Sequence, residues 1–179
     1  MNSASIPSRF SGLSRLYSTE GVTKLMNAKV AVVGIGGVGS WTAEALARSA
    51  IGNITLIDLD DIASTNINRQ LHALESTLEQ SKVEVMKARM LDINPDCNID
   101  AIEDFLTTET LTTYLSTEFD VVIDAVDSVK AKAAMIAYCK RNKIKIITVG
   151  GAGGQIDPLL VTCNDLAKTI QDPLAAKLC

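Results

Sequence analysis

The chain has 179 residues, of which 47% are hydrophobic, and this size and composition fit one globular domain with a buried core. A formal net charge of −4 means that a polyanionic partner would have to bind a local basic patch. The four cysteines form no C-x-x-C pair and no apolar run approaches the roughly 20 residues of a membrane span, so we expect no structural zinc site, no membrane helix and a reduced, cytoplasmic setting.

The first predicted strand is the apolar run from Lys29 to Val33, which ends at Gly34. From Gly37 the apolar residues follow helical spacing instead. They predict a helix with one buried face, formed by Val38, Trp41, Ala45 and Leu46.

The same alternation continues along the chain. Further strands are expected at 54–58, 98–102, 120–124 and 144–149, and further helices at 83–93, 109–115 and 128–141. This order predicts an α/β, Rossmann-like, doubly wound fold with a mainly parallel sheet and helices on both faces. Residues 165–179 begin a helical pattern that stops without a capping signal, so we expect a longer natural chain, in which absent residues could provide membrane association.

A glycine-rich turn follows the first strand, with the sequence Gly34-Ile-Gly36-Gly37-Val-Gly39. In a G-x-G-x-x-G between a strand and a helix, the first glycine permits a tight turn, the second lets the backbone approach a phosphate, and the third allows close helix packing. Asp58 ends the second strand about 20 residues later, where an acidic group commonly binds a ribose. These features fit NAD as well as ATP.

A dense polar segment follows Asp58, and it favours a triphosphate over a dinucleotide. An arginine fork binds phosphate bidentately, asparagine can donate to phosphate oxygens, and lysine supplies a second cation. The candidate residues of this segment are Asp60, Asn66, Arg69, Gln70 and Lys82.

Together with Asp124-Ala-Val-Asp127-Ser128, this segment resembles the adenylation domain of ThiF-type activating enzymes, relatives of the ubiquitin-activating enzymes. The resemblance implies that Asp58 binds the ribose of ATP and that Asp127 helps to hold Mg²⁺. It also implies phosphate contacts from Asn66, Arg69 and Lys82. The alternative for Asp127 is an acidic residue favoured by the dipole at a helix N-terminus.

Four other stretches resemble most closely the branch of that family that dehydrates threonylcarbamoyladenosine in tRNA; they are residues 68–74, 133–143, 150–158 and 165–178. The resemblance implies that the threonyl carboxylate is adenylated and then closes into a ring, with release of AMP and pyrophosphate. It implies a tRNA substrate, no DNA, and a possible partner from a sulfur-transfer or cysteine desulfurase system. Residues 1–28 would be a helical docking segment and residues 29–179 the ATP-binding adenylation domain.

The N-terminal pattern Arg9-Phe-x-Gly-x-x-Arg15-Leu-Tyr resembles the family segment that sends an arginine into the partner subunit's ATP site. We assign this role to Arg15, with Arg9 as the competitor, and the assignment implies a homodimer. The alternative is a surface arginine on a docking segment.

Other conspicuous residues are interpreted as structural. His72, the only histidine, is expected to be packed and hydrogen-bonded rather than catalytic, and the cysteines are expected to be free buried thiols. Trp41, Met86 and Met90 are expected in the core. The cluster of Lys140, Arg141, Lys143 and Lys145 is interpreted as a solvated helix end, with a contact to tRNA phosphates left open.

The proposed chemistry needs no enzyme nucleophile, because the substrate carboxylate itself attacks the α-phosphorus of ATP. Catalysis then consists of positioning and charge stabilisation by Mg²⁺, Arg69, Lys82 and Arg15. Three alternatives remain: an adenylyltransferase of a ubiquitin-like sulfur-carrier protein, an NAD-dependent oxidoreductase, and a non-catalytic nucleotide-binding module.

Overall fold

The computed structural model describes residues 6–169 and 172–178. This part of the chain contains one parallel sheet with the strand order β3-β2-β1-β4-β5. The strands are β1 (Lys29–Val33), β2 (Asn53–Ile57), β3 (Asn98–Ile102), β4 (Val121–Asp124) and β5 (Ile146–Thr148). The α-helices are α1 (Ser14–Asn27), α2 (Gly39–Arg48), α3 (Lys82–Ile93), α4 (Leu111–Tyr114) and α5 (Val129–Arg141).

Helices cover both faces of the sheet, because alternate residues of a strand point to opposite sides. In β1, Val30 and Val32 pack with residues of α2 and α3, whereas Ala31 and Val33 pack with residues of α4 and α5. The predicted doubly wound α/β fold is therefore confirmed. From β1 the chain adds β2 and β3 on one side and then β4 and β5 on the other, so the strand order switches between β1 and β4. The carboxyl ends of the strands beside such a switch point form the usual ligand crevice.

The predicted limits of β1 and β3 agree with the structure, whereas the last strand is shorter than expected. Ile144 does not belong to β5, because its N–H donates to Cys139 O at 2.9 Å and closes the end of α5. Lys143, which lies between the end of α5 and Ile144, has a φ of 58°. This is the left-handed closing turn common at helix ends, and it delays the strand to Ile146.

The predicted buried face of α2 is wrong for Val38, Trp41 and Ala45, which are exposed, whereas Leu46 packs against the core. The helix buries Ser40, Ala43, Glu44 and Ala47, while Trp41 is 55% exposed. The small residues face the sheet because α2 starts directly against the glycine turn. Glu44 can be buried because its carboxylate accepts hydrogen bonds from Arg48 and Arg89. Met86 and Met90 are buried as expected.

The N-terminal segment consists of a 3₁₀ turn at Ser8–Leu13 followed by α1. Phe10 and Val22 pack against Ala50 after α2, and this third apolar cluster joins the segment to the domain. A kink interrupts α1 at Ser18, which has a φ of 62°.

After β5 the described residues form only short 3₁₀ turns, so the helix expected near the C-terminus is not found there. Two of these turns are Leu166–Lys168 and Ala175–Lys177. Part of the predicted helix, at residues 170 and 171, lies outside the described residues, as does Cys179. Cys97 and Cys139 are buried free thiols, as expected, whereas Cys163 is exposed. None of the helices in the described ranges has both the length and the apolar character of a membrane span.

Candidate active site

The glycine turn lies at the carboxyl end of β1, and two of its glycines are sterically required. Gly34 has a φ of +87°, and a Cβ on it would lie 2.9 Å from the carbonyl carbon and oxygen of Ala125. A Cβ on Gly39 would lie 1.8 Å from Gly34 O. These contacts account for the predicted tight turn and close helix packing.

Gly36 differs, because a Cβ on it would meet only the Gln70 Nε2 atom, at 3.8 Å. Its backbone therefore faces open space, which a phosphate could occupy. The Gln70 side chain is buried, and its Oε1 atom has no hydrogen-bond partner among the described residues. The Gln70 atom that faces Gly36 is the amide nitrogen, which can donate to a phosphate oxygen, whereas the buried Oε1 acceptor cannot.

Asp58 connects the end of β2 to the glycine turn. Its Oδ2 atom accepts a hydrogen bond from the Ile35 N–H at 2.6 Å, and its Oδ1 atom accepts one from the Asp60 N–H at 2.9 Å. Each carboxylate oxygen keeps a second lone pair, so both can still accept hydrogen bonds from ligand hydroxyls. This carboxylate is thus held in a fixed position beside the turn.

Arg69 lies over the glycine turn, since its side chain would be 3.5 Å from a Cβ on Gly37. Its Nη1 atom donates to Thr65 O at 2.9 Å and to Asn68 Oδ1 at 3.0 Å, which leaves other guanidinium N–H groups available. The first turn of α2 holds the Arg69 region, because the exposed Trp41 donates from Nε1 to Arg69 O at 3.1 Å. Trp41, which we expected in the core, is therefore a surface residue that contacts the site.

Asn66 is buried and shapes the same segment. Its Oδ1 atom accepts a hydrogen bond from the Ala63 N–H at 3.0 Å, which fixes the turn that leads to Arg69. The expected phosphate contact would have to come from its amide nitrogen.

Lys82 is the first residue of α3, and its side chain is only 5% exposed. The ammonium Nζ is 2.8 Å from Asp60 Oδ2, and the Asp60 side chain is 58% exposed. Because this carboxylate is largely in water, the ion pair is weak enough for another anion to compete for the lysine.

His72 is buried, as expected, but the expected hydrogen bond is not found. Neither ring nitrogen has a partner among the described residues. Burial, assisted by the positive charge of Lys82, lowers the pKa of His72 to about 4. The imidazole is therefore neutral at pH 7, and its role is packing beside the candidate site.

Asp127 lies in the loop between β4 and α5, which contacts Gly34 through Ala125. The Asp127 side chain is exposed, and the next residue, Ser128, caps α5 by accepting a hydrogen bond from the Ala131 N–H. The described residues include no group of three or more His, Cys, Asp or Glu that could hold a metal ion. Mg²⁺ shared with phosphates needs only one or two carboxylates, so this loop fits such an ion.

The ion pair between Lys132 and Asp124 was not identified from the sequence. Both side chains are fully buried, and Lys132 Nζ is 2.8 Å from Asp124 Oδ1. Burial raises the pKa of Asp124, and the hydrogen bond and charge of Lys132 oppose this rise. Helical periodicity is the sequence signal that could have identified Lys132 as buried, because it shares the buried face of α5 with Met135 and Cys139.

Arg9 and Arg15, the two candidates for the arginine that enters a partner subunit's ATP site, differ in their contacts. Arg9 Nη1 donates to Ile93 O at 2.9 Å, and it thereby caps the end of α3 in its own chain. Arg15 is exposed on α1, and no hydrogen bond or ion pair of the described residues joins it to the other site residues. A single chain therefore brings together the predicted residues of the glycine turn, Asp58, Arg69, Gln70 and Lys82, but not Arg15.

Comparison with known proteins identifies a family, two similar enzymes and two similar solved structures. The model of the ThiF family matches residues 10–170. The tRNA threonylcarbamoyladenosine dehydratase of Haemophilus influenzae is 56% identical over 170 residues, which cover 95% of this chain and 65% of that protein. The enzyme of the same name from Escherichia coli is also 56% identical, with 95% of this chain and 63% of that protein covered. The chain thus spans slightly less than two thirds of the length of these curated relatives.

The solved structure of the Escherichia coli dehydratase in complex with ATP superposes with a TM-score of 0.95 and 54% identity, covering 98% of this chain and 74% of that chain. A second structure of that enzyme, in complex with AMP, has a TM-score of 0.94 at 54% identity and covers 98% and 73% of the two chains.

Proposed function

The chain belongs to the ThiF family, and from this premise we propose that it is an ATP-dependent, AMP-forming enzyme that dehydrates threonylcarbamoyladenosine in tRNA. One observation carries the proposal: the side chains of Asp58, Arg69 and Gln70 lie against a glycine turn whose middle is open, and Lys82 is joined to Asp58 through Asp60. The tRNA substrate is supported by the 56% identity to dehydratases.

ATP would bind with its ribose at Asp58, whose carboxylate oxygens retain free lone pairs. Its phosphates would lie over Gly36 and the first N–H groups of α2, where a helix N-terminus favours an anion. Arg69 would neutralise phosphate charge with the guanidinium N–H groups that the protein does not use, assisted by the Asn66 amide.

Lys82 would exchange Asp60 for a phosphate oxygen. The exchange costs little because Asp60 remains solvated after the ion pair breaks. Asp127 would hold Mg²⁺, which supplies positive charge to the phosphates when it is bound.

The reaction begins when a carboxylate oxygen of the threonyl group attacks the α-phosphorus and pyrophosphate leaves. The carbamoyl group of the same nucleoside then attacks the activated carbonyl carbon and loses one proton, and AMP leaves. The residues of this chain align the two reactants and stabilise the charge that develops on phosphorus, and none of them forms a covalent bond.

We propose that the active unit is a homodimer in which Arg15 reaches the ATP site of the second copy. The Arg9 contact with Ile93 O supports Arg15 over Arg9, since Arg9 already has a role within its own chain. By family resemblance, a protein of a sulfur-transfer or cysteine desulfurase system is a further proposed partner.

The test is to incubate the protein with ATP, Mg²⁺ and tRNA that carries threonylcarbamoyladenosine. We expect AMP and pyrophosphate, together with a modified nucleoside that is lighter by one water in mass spectrometry. Unmodified tRNA is the substrate control, and the Asp58→Ala variant tests whether the product depends on this site.

The alternatives give different results. AMP formation with a sulfur-carrier protein but not with modified tRNA would identify an adenylyltransferase. Binding of NAD in preference to ATP in calorimetry would favour an oxidoreductase. ATP binding without turnover of either substrate would leave a non-catalytic module.

A further inference from the structure

The buried ion pair between Lys132 and Asp124 lies where two loops leave the carboxyl edge of the sheet. We infer that Lys132 and Asp124 are positioning residues that hold the Asp127 loop and the end of β5 in the geometry that adenylation requires. This inference rests on the proposed function for its catalytic consequence, but its structural part can be tested without any substrate.

Lys132 has its three N–H donors directed at three oxygens. Nζ lies 2.8 Å from Asp124 Oδ1, 3.0 Å from Val149 O and 3.5 Å from Asp124 O. These oxygens belong to the end of β4 and to the residue that follows β5. One ammonium group on α5 therefore joins the ends of two neighbouring strands.

Asp124 extends this connection into the loop that carries Asp127. Its Oδ1 atom also accepts a hydrogen bond from the Val126 N–H at 3.2 Å. Ala125 between them contacts Gly34 so closely that a Cβ there would not fit. The loop is thus fixed on one side by the ion pair and on the other by the glycine turn, and Asp127 follows directly.

The second loop begins at Val149, whose N–H donates to Asp124 O at 2.9 Å while its carbonyl accepts from Lys132. Two residues later, the Gly151 N–H donates to Asp172 Oδ2 at 3.0 Å. Polar contacts therefore hold the chain just beyond β5, and those of Val149 are made with Lys132 and Asp124.

Burial explains why this pair acts on position more than on stability. A fully buried ion pair loses its hydration, and an apolar pair of similar volume commonly gives an equally stable fold. Apolar side chains, however, make no directional bonds to Val149 O or to the Val126 N–H. What the charges add is a defined orientation of both loops.

The inference predicts a separation between ATP binding and turnover. Asp58 and the glycine turn lie at the ends of β2 and β1, and none of the three hydrogen bonds of Lys132 reaches them. Asp127 depends on the loop that the ion pair holds. Loss of the pair should therefore lower kcat while the KM for ATP changes little.

The experiment uses the double variant Asp124→Asn/Lys132→Met, which leaves no unpaired charge in the core. Amide hydrogen exchange is followed by mass spectrometry without ligands. We expect exchange in 125–128 and 149–151 to rise at least about tenfold relative to the rest of the sheet, because the Val126 N–H loses its charged acceptor and the ammonium no longer holds Val149 O. We expect kcat to fall at least about tenfold per folded molecule, with less than about a threefold change in the KM for ATP.

Met135→Ala is the matched control, because Met135 is fully buried on the same face of α5 and contributes no charge. It should destabilise the fold without selective exchange in the two loops and without a change in kcat per folded molecule. If the double variant has the same exchange pattern and the same kcat as this control, the pair is only structural and the inference is overturned.

If the double variant does not fold, Asp124→Asn/Lys132→Gln replaces it, since this pair keeps hydrogen-bonding groups of shorter reach, and the same criteria apply. Absence of AMP formation by the unmodified protein would count against the proposed function alone, because the exchange measurement requires neither ATP nor tRNA.

Discussion

Two lysine–aspartate ion pairs lie near the carboxyl ends of the strands with the same N–O distance of 2.8 Å, yet their surroundings differ. In Lys82–Asp60 the aspartate side chain is 58% exposed, whereas in Lys132–Asp124 both side chains are fully buried. A solvated carboxylate releases its lysine at little cost, while a buried one cannot be separated from its partner without leaving an uncompensated charge. The first pair can therefore serve a ligand, whereas the second stays paired and holds the loops beside it in position.

The largest expected effect comes from Lys132→Met alone. Removing the ammonium leaves the Asp124 carboxylate buried without its partner, and we expect a loss of about 3–5 kcal/mol in the free energy of unfolding. Denaturant titration at pH 7 measures it. A loss below about 1 kcal/mol would mean that the pair tolerates separation and that the two pairs do not differ as described.

Lys82→Met should affect turnover rather than folding. We expect AMP formation to slow by about 10²–10³-fold, as is typical for removal of one charge-stabilising donor. The free energy of unfolding should change by less than about 1 kcal/mol, because Asp60 remains in water. Initial rates at saturating tRNA provide the measurement.

Lys29→Met is the matched control for Lys82→Met. Lys29 pairs with Glu118 where β1 begins, at the opposite edge of the sheet from the site. Its rate should stay close to that of the unmodified protein. Equal rates for Lys29→Met and Lys82→Met would remove Lys82 from the proposed phosphate site.

The lowered pKa of His72, which lies near the charge of Lys82, makes the stability of the protein depend on pH. The pKa of His72 is lowered from 6.5 to about 4, first by burial and then by the charge of Lys82. The unfolded chain therefore takes up a proton below pH 6.5 that the folded chain does not, so stability is lost as the pH falls from 6.5 toward 4.

His72→Gln should lack this contribution, which amounts to roughly 3 kcal/mol at pH 4. Denaturant titrations at pH 7 and pH 4 measure it as the difference between the two proteins. Parallel pH dependence of stability in both proteins would show that His72 is not held neutral by its surroundings.

The sequence was sufficient for the fold because the central strands are continuous apolar runs and the glycine turn defines the first strand–helix junction. Arg69 and Lys82 could also be proposed as site residues from the sequence, because they are grouped with other polar residues after Asp58. Their contacts inside the protein, such as Trp41 with Arg69 O, could not be found, because an apolar pattern does not reveal that a tryptophan uses its N–H at the surface.

Lys132 was missed for a physical reason. An isolated lysine on a helix is usually solvated, and only three-dimensional packing shows that Asp124 and Val149 O surround its ammonium. The buried face of α2 was mistaken for a related reason: the residues nearest the sheet are small or paired, namely Ser40, Ala43 and Glu44. Residue size and pairing decided burial at these positions more than hydrophobicity did.

In the proposed reaction, the substrate carboxylate attacks the α-phosphorus of ATP at this site. The most direct measurement uses tRNA whose threonyl carboxylate carries oxygen-18, followed by mass spectrometry of the released AMP. Because the attacking oxygen stays on phosphorus when ring closure breaks its bond to carbon, the account predicts AMP with one labelled oxygen. Unlabelled AMP, or ADP in place of AMP, would contradict it.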